Sequence, residues 1–148
     1  MRKGTFAKQK FFSGYNCSQA VACAFADEMN MDEETVKRLT IGFGGGMGRM
    51  REVCGTVSGA AFVLSALYGK RDKNEVYKMV QEVAGEFRKE NGSVVCRELL
   101  GLSKSAPITP TAEPRTKEYY KKRPCAELVE MMADILEKYI KNMQSGCS

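Results

Sequence analysis

Apolar residues along this chain recur at three- and four-residue spacings, and no stretch alternates over the length of a strand. That period predicts helices, each with one buried side. A first short helix is expected over Lys3–Ser13, stopped by Gly14. A second is expected from Asn16, as N-cap, to about Met29, with Ala20, Val21, Ala24 and Phe25 on its buried side. Asp32 caps a third that ends at Ile41-Gly42. The run Gly42-Phe43-Gly44-Gly45-Gly46-Met47-Gly48 then breaks the pattern.

The fourth helix, Glu52–Tyr68, carries Val53, Val57, Ala60, Ala61, Leu64 and Leu67 on a broad apolar side and ends at Gly69. Gly55, Ser58, Gly59, Ala60 and Ala61 keep its first half thin, so a neighbouring helix or a cofactor can come close. Asp72 caps an amphipathic fifth helix through Glu90, closed by Asn91-Gly92. A short helix over Val95–Leu100 precedes a loop, Ser103–Pro114, that Pro107, Pro110 and Pro114 keep from being helical. The last helix starts at Pro124 and buries Leu128, Val129, Met132, Ile135, Leu136 and Tyr139, and residues 144–148 are expected as a frayed tail. The expectation is an all-α, single-domain bundle (1–148) of six or seven helices with a glycine-rich interhelix loop. The helix from Glu52 should lie centrally, against those beginning at Asn16 and Pro124.

Composition narrows the function. An apolar fraction of 43% over 148 residues is ordinary for one globular domain and excludes a disordered chain. The longest apolar stretch, Ala60–Leu67, is too short to enter a bilayer as a span, and the first residues carry charge without the apolar core of a signal peptide. A cytoplasmic protein with reduced or ligated cysteines is therefore expected, without membrane insertion. The net charge of +5 is spread among acids, and only Arg115–Arg123 is locally basic. That segment reads as a solvated turn before the last helix, so nucleic acid is not an expected partner. Histidine is absent, which removes Ser-His-Asp and Cys-His catalysis, imidazole-bound metals and ordinary haem ligation.

Chemistry then falls to sulfur. Cys17, Cys54 and Cys125 sit at predicted helix starts, and Cys96 follows Ser93, a candidate N-cap. Unpaired N–H groups there favour thiolate, which is both nucleophile and metal ligand. No CxxC pair is present, which argues against a thioredoxin-like dithiol or a zinc ribbon. Four thiolates that the fold brings together would suit zinc or an iron–sulfur cluster, while buried packing accounts equally for any single thiol. Cys23, mid-helix among alanines, reads as packing, and Cys147 in the tail has no assigned role. Gly44, Gly45 and Gly46 either form a nest of N–H groups for an anion or sulfide, or make a tight turn. The lysine of a phosphate-binding loop is missing. Arg49 and Arg51 would stabilise thiolate at Cys54 or steer an anionic partner, which makes Cys54 the favoured redox thiol.

Five ordered segments carry a resemblance: Gly14-Tyr15-Asn16-Cys17-Ser18-Gln19-Ala20-Val21, the glycine run 42–48, Val53-Cys54-Gly55-Thr56-Val57-Ser58-Gly59-Ala60, Cys96-Arg97-Glu98-Leu99-Leu100-Gly101 and Cys125-Ala126-Glu127-Leu128-Val129. Together they resemble the redox-active family C_GCAxxG_C_C, defined by four cysteines and a CGAxxG motif. The resemblance maps the family's cysteines onto Cys17, Cys54, Cys96 and Cys125 and leaves Cys23 and Cys147 outside. Thr56 stands where the motif has alanine, and its hydroxyl is placed to bond a sulfur or the preceding turn. A similar domain accompanies haem in split-Soret cytochromes, where an iron–sulfur centre is implied. This chain lacks CxxCH, so only the cluster part would carry over.

Three functions follow as expectations. The first is electron transfer or redox sensing through an iron–sulfur cluster, with zinc as alternative, held by Cys17, Cys54, Cys96 and Cys125 beside Gly44, Gly45, Gly46, Gly55 and Thr56. The second is a cofactor-free thiol–disulfide protein with Cys54 as nucleophile. The third is a non-catalytic module that binds an anion or a partner. A redox partner is implied but unidentified, and the small-residue faces would serve a homodimer or an interior.

Overall fold

The computed structural model describes residues 1–145, so Cys147 lies outside the described residues. Eight helices are present among them: α1 (Lys3–Phe12), α2 (Cys17–Cys23), α3 (Glu33–Thr40), α4 (Gly55–Tyr68), α5 (Lys73–Asn91), α6 (Cys96–Leu99), α7 (Lys117–Lys122) and α8 (Cys125–Gln144). A single 3₁₀ turn, Ile41–Phe43, leads from α3 into the glycine loop. The all-α expectation holds, and the extra helix is α7.

α4 packs against α2, α5 and α8, while α1 lies along α8 and α3 covers α2. Their facing sides form one continuous core around Phe25, Val63, Leu64, Phe87, Val129, Met132 and Leu136. The thin start of α4 is used as expected. A Cβ built at Gly59 would stand 2.9 Å from the backbone oxygen of Ser18, so α2 and α4 cross almost backbone to backbone. No helix is long and apolar enough to cross a membrane among the described residues.

Asn16 ties this crossing to α3. Its Oδ1 accepts the Gln19 N–H at 3.0 Å and Gln19 Oε1 accepts the Asn16 N–H at 2.9 Å, a reciprocal cap. Asn16 Nδ2 donates to Ile41 O at 2.9 Å and Gln19 Nε2 to Lys37 O at 3.0 Å, so the start of α2 is pinned to the end of α3.

Four local expectations are corrected. α2 ends at Cys23 rather than Met29, because the next N–H groups bond three residues back, Phe25 to Ala22 O and Ala26 to Cys23 O, and Asn30 turns to φ +56°. Ala24, Phe25 and Ala26 stay buried in those turns, which is why the apolar spacing continued past the helix. α4 starts at Gly55 rather than Glu52, since Val53 makes an isolated antiparallel bridge with Val95. The basic segment before α8 folds as α7, capped by Thr116, whose Oγ1 accepts the Tyr119 N–H at 3.2 Å. Pro124 is the N-cap of α8 rather than its first residue.

The loop between α1 and α2 is fastened by Tyr15, whose hydroxyl donates to Glu33 Oε2 at 2.7 Å, while Lys10 Nζ donates to the same oxygen at 3.0 Å. The Tyr15 hydrogen bond holds the Glu33 carboxyl below its ordinary value of 4.5. Glu33 therefore contributes stability that is complete above that value and lost as pH falls through the lower folded one. In Tyr15→Phe the acid limb of stability should become shallower, measured by urea unfolding between about pH 3 and pH 7. An unchanged slope would show that the pair is not formed in solution.

Candidate functional site

Cys17, Cys54, Cys96 and Cys125 line one cleft of about 530 Å³. Each arrives from a different element. Cys17 is the first residue of α2, Cys54 immediately precedes α4, and Cys96 and Cys125 open α6 and α8. The close crossing of α2 and α4 supplies the first two, and a Cβ at Gly55 would lie 3.3 Å from that of Cys17. The Val53–Val95 bridge supplies the third. Cys54 donates its N–H to Val94 O at 2.8 Å and Cys96 donates to Glu52 O at 2.6 Å, one rung of strand pairing that sets these cysteines side by side. Cys23 is not among them. It is buried at the end of α2, its Sγ 3.7 Å from Glu33 O, as packing predicts.

The glycine loop presses on the cleft from one side. Positive φ runs through Gly45, Gly46, Met47, Gly48 and Arg49 in succession and returns at Arg51. Such a left-handed path costs little only at glycine. A Cβ at Gly46 would stand 2.6 Å from that of Cys96, and one at Gly44 would stand 2.5 Å from Asn16 Nδ2. The nest expectation is met only in part. The N–H groups of Met47, Gly48, Arg49, Arg51 and Glu52 bond the carbonyls of Phe43, Gly42, Gly44, Gly45 and Gly46, so the loop satisfies much of itself. The Gly45 and Gly46 N–H groups have no acceptor among the described residues. Gly44, Gly45, Gly46 and Gly55 all line the cleft. Thr56 is buried behind it, with Oγ1 3.1 Å from Cys54 Sγ.

The thiols are not alike. Burial pushes Cys54 up to about 11, and the bonds from Thr56 offset only part of that. The expected activation of Cys54 by Arg49 and Arg51 is thus corrected. Arg51 instead reaches Cys96 Sγ at 3.7 Å, and Arg49 donates to the carbonyls of Thr109, at 2.7 Å, and Thr111. The lowered thiol is Cys125, held down first by a hydrogen bond from Cys17 and then by Arg123, Arg115 and Arg51. The same neighbour, together with burial, raises Cys17 well above the ordinary thiol value, so the two thiols are shifted in opposite directions.

Sequence reasoning missed Arg115, Arg123, Tyr119 and Glu113, all of which line the cleft. Arg115 donates to Phe11 O and Tyr15 O, each at 2.9 Å, and lies over the Phe11 and Tyr119 rings at 4.3 and 5.1 Å. The signal was present as the basic, tyrosine-bearing run before Cys125, read as solvated because its local pattern has no apolar side.

Among the described residues, no three cysteine, aspartate or glutamate side chains gather closely enough to hold a metal ion. A tetrahedral zinc would draw its thiolates to about 3.8 Å from one another. A cluster spreads its thiolate ligands over several irons. Four cysteines around one cleft, with free amides and guanidinium groups beside them, fit that donor class.

A model of the family described as "Putative redox-active protein (C_GCAxxG_C_C)" matches residues 15–139, a span that includes all four cleft cysteines. No curated protein and no solved structure matches the chain.

Proposed function

Because this chain belongs to the redox-active C_GCAxxG_C_C family, we propose that its cleft is an iron–sulfur site for electron transfer or redox sensing. The observation that carries the reading is the meeting of four thiols from four separate elements at one cleft. Cys17, Cys54, Cys96 and Cys125 would hold the cluster, which supplies one-electron storage when bound. The chain's own part is to prepare that place. Gly46 and Gly55 let backbone approach Cys96 and Cys17, Gly44 makes room for Asn16, the Gly45 and Gly46 N–H groups and Arg51 offset thiolate charge, and Thr56 holds the Cys54 sulfur. Cys54, Cys96 and Cys125 are 5%, 7% and 9% exposed, which keeps water from three of the four ligands. This chemistry belongs in a reducing compartment such as the cytoplasm, with a separate protein as redox partner.

The shared cleft of Cys17 and Cys125 and their opposite shifts, Cys17 raised and Cys125 lowered, support a second reading, a cofactor-free dithiol. The Cys125 thiolate would attack a disulfide of a partner protein, forming a mixed disulfide and releasing one partner thiol. Cys17, once deprotonated, would attack Cys125 Sγ and release the second. The partner leaves as a dithiol, two electrons having passed to it, and the chain is left with a Cys17–Cys125 disulfide.

Iron and acid-labile sulfide should be measured on protein purified without oxygen, alongside the visible spectrum, for the wild type and Cys54→Ser. Stoichiometric iron and sulfide with a charge-transfer band, all lost in the variant, are expected. Metal-free anaerobic wild type would sink the cluster. If it then gains a reductant-sensitive Cys17–Cys125 disulfide on mild oxidation, and Cys54→Ser does the same, the dithiol stands instead.

A further inference from the structure

Charge in the cysteine cleft is lopsided. Arg49, Arg51, Arg115 and Arg123 line it, and Glu113 is the single acidic residue among its walls. Arg51 has no acidic partner among the described residues. Glu113 belongs to the irregular strap formed by residues 103–116, between α6 and α7. Its carboxylate is shared by Arg123 and, at 3.7 Å, by Arg49.

The two sides of this contact differ in fixity. The arginine side chains are 17% and 15% exposed, and the Glu113 side chain is 43% exposed. Arg49 also donates to the carbonyls of Thr109 and Thr111, which lie on the same strap as Glu113. Arg123 lies over the Tyr119 ring at 5.8 Å. The guanidinium groups are therefore built into the cleft wall, whereas the carboxylate hangs from a loop at the surface. A half-exposed ion pair contributes little to stability, so parting it costs the fold little. Planar guanidinium forks suit a carboxylate in particular.

We propose that Arg49 and Arg123 form a seat for a small-molecule carboxylate, that Glu113 fills this seat as an internal stand-in, and that a ligand carboxylate displaces it. The rest of such a ligand then lies in the same cleft as the four thiols. The seat exists whether those thiols carry a cluster or act as a dithiol, so it goes beyond the redox reading and survives the failure of either form of it.

The test is isothermal titration of the full chain, purified without oxygen, with succinate at low ionic strength, and with neutral succinamide as control. Glu113→Gln removes the competing carboxylate at an exposed position, and a thermal melt verifies that it folds. Succinate is expected to bind this variant about fivefold more tightly than wild type, the ratio set by a half-exposed ion pair. Adding Arg49→Gln to the variant should abolish the gain, and succinamide should not bind. Equal succinate affinity in wild type and Glu113→Gln, or no binding to either, would overturn the seat. A response to inorganic phosphate equal to that for succinate would overturn the carboxylate assignment. Iron content and thiol counts on the same samples report separately on the redox site.

Discussion

Gly46→Ala should cost about 4 kcal/mol of stability and displace Cys96 from the cleft. Two costs combine at this position. The backbone sits at φ +73°, where an L-residue pays about 1–3 kcal/mol. The added methyl would meet Cys96 Cβ at 2.6 Å, Glu52 N at 2.7 Å and Arg51 Cα at 2.8 Å, an overpacking worth about 1–3 kcal/mol more. Two of those three obstacles are backbone, so no side-chain rotation relieves them. Gly48→Ala provides the internal comparison. Its φ is +57°, but the nearest atom to a new Cβ is Gly42 O at 3.9 Å, so only the conformational cost, about 1 kcal/mol, should appear. Urea unfolding of the two variants separates the contributions. Equal losses would mean that the contact with Cys96 does not restrain the loop.

The second large effect is expected at the helix crossing. In Gly59→Val the side chain would press on Ser18 O at 2.9 Å and Ser18 Cα at 3.2 Å, both backbone atoms of α2. Separating the helices should cost about 3 kcal/mol. It should also carry Cys17, the residue before Ser18, away from Cys54. Stability and site assembly are thus predicted to fall together, read as the melting temperature and as the cofactor or disulfide yield of the same preparation. Gly85→Ala in α5 is the contrasting change, since nothing stands within 4 Å of its added methyl. It should raise stability by about 0.5–1 kcal/mol and leave the site untouched. A Gly59→Val protein that melts lower yet retains full site occupancy would uncouple the crossing from the cysteine geometry.

What could be read in advance depended on how local its cause was. The helices that begin at Asn16 and after Asp72 announce themselves through their caps, and both caps form their bonds. Ser93 was a sound signal of another kind. Its Oγ accepts the Val95 N–H at 2.9 Å, just outside α6, whose N-cap is Val95 itself. Placing Cys17, Cys54, Cys96 and Cys125 at the starts of four helices needed no more than such signals. The extended backbone at Cys54 was not legible, because it comes from pairing with residues 94–96, which no local pattern announces. Thiol character was misassigned for the same reason. Arg49 and Arg51 are near Cys54 in sequence, but the charge that lowers a thiol in space belongs to Arg123 and Arg115 at Cys125. Contacts such as Arg115 to Phe11 and Tyr15, and Arg49 to Thr109, escaped notice because they join a polar residue to a backbone carbonyl or a ring far along the chain.

The four cleft cysteines are scattered from residue 17 to residue 125, and this scatter imposes an order of events on the life of the protein. No fragment emerging during synthesis holds the complete site until α8 has been made, so the fold must close before the thiols can be joined. Once they are joined, the bond or cofactor becomes a girdle around most of the chain. A cross-link closing a loop of roughly 100 residues removes enough freedom from the unfolded ensemble to stabilise the native state by about 4.7 kcal/mol. Resistance to unfolding, and with it lifetime in the cell, would then follow the oxidation or loading of the site, so that protein abundance keeps a record of redox history.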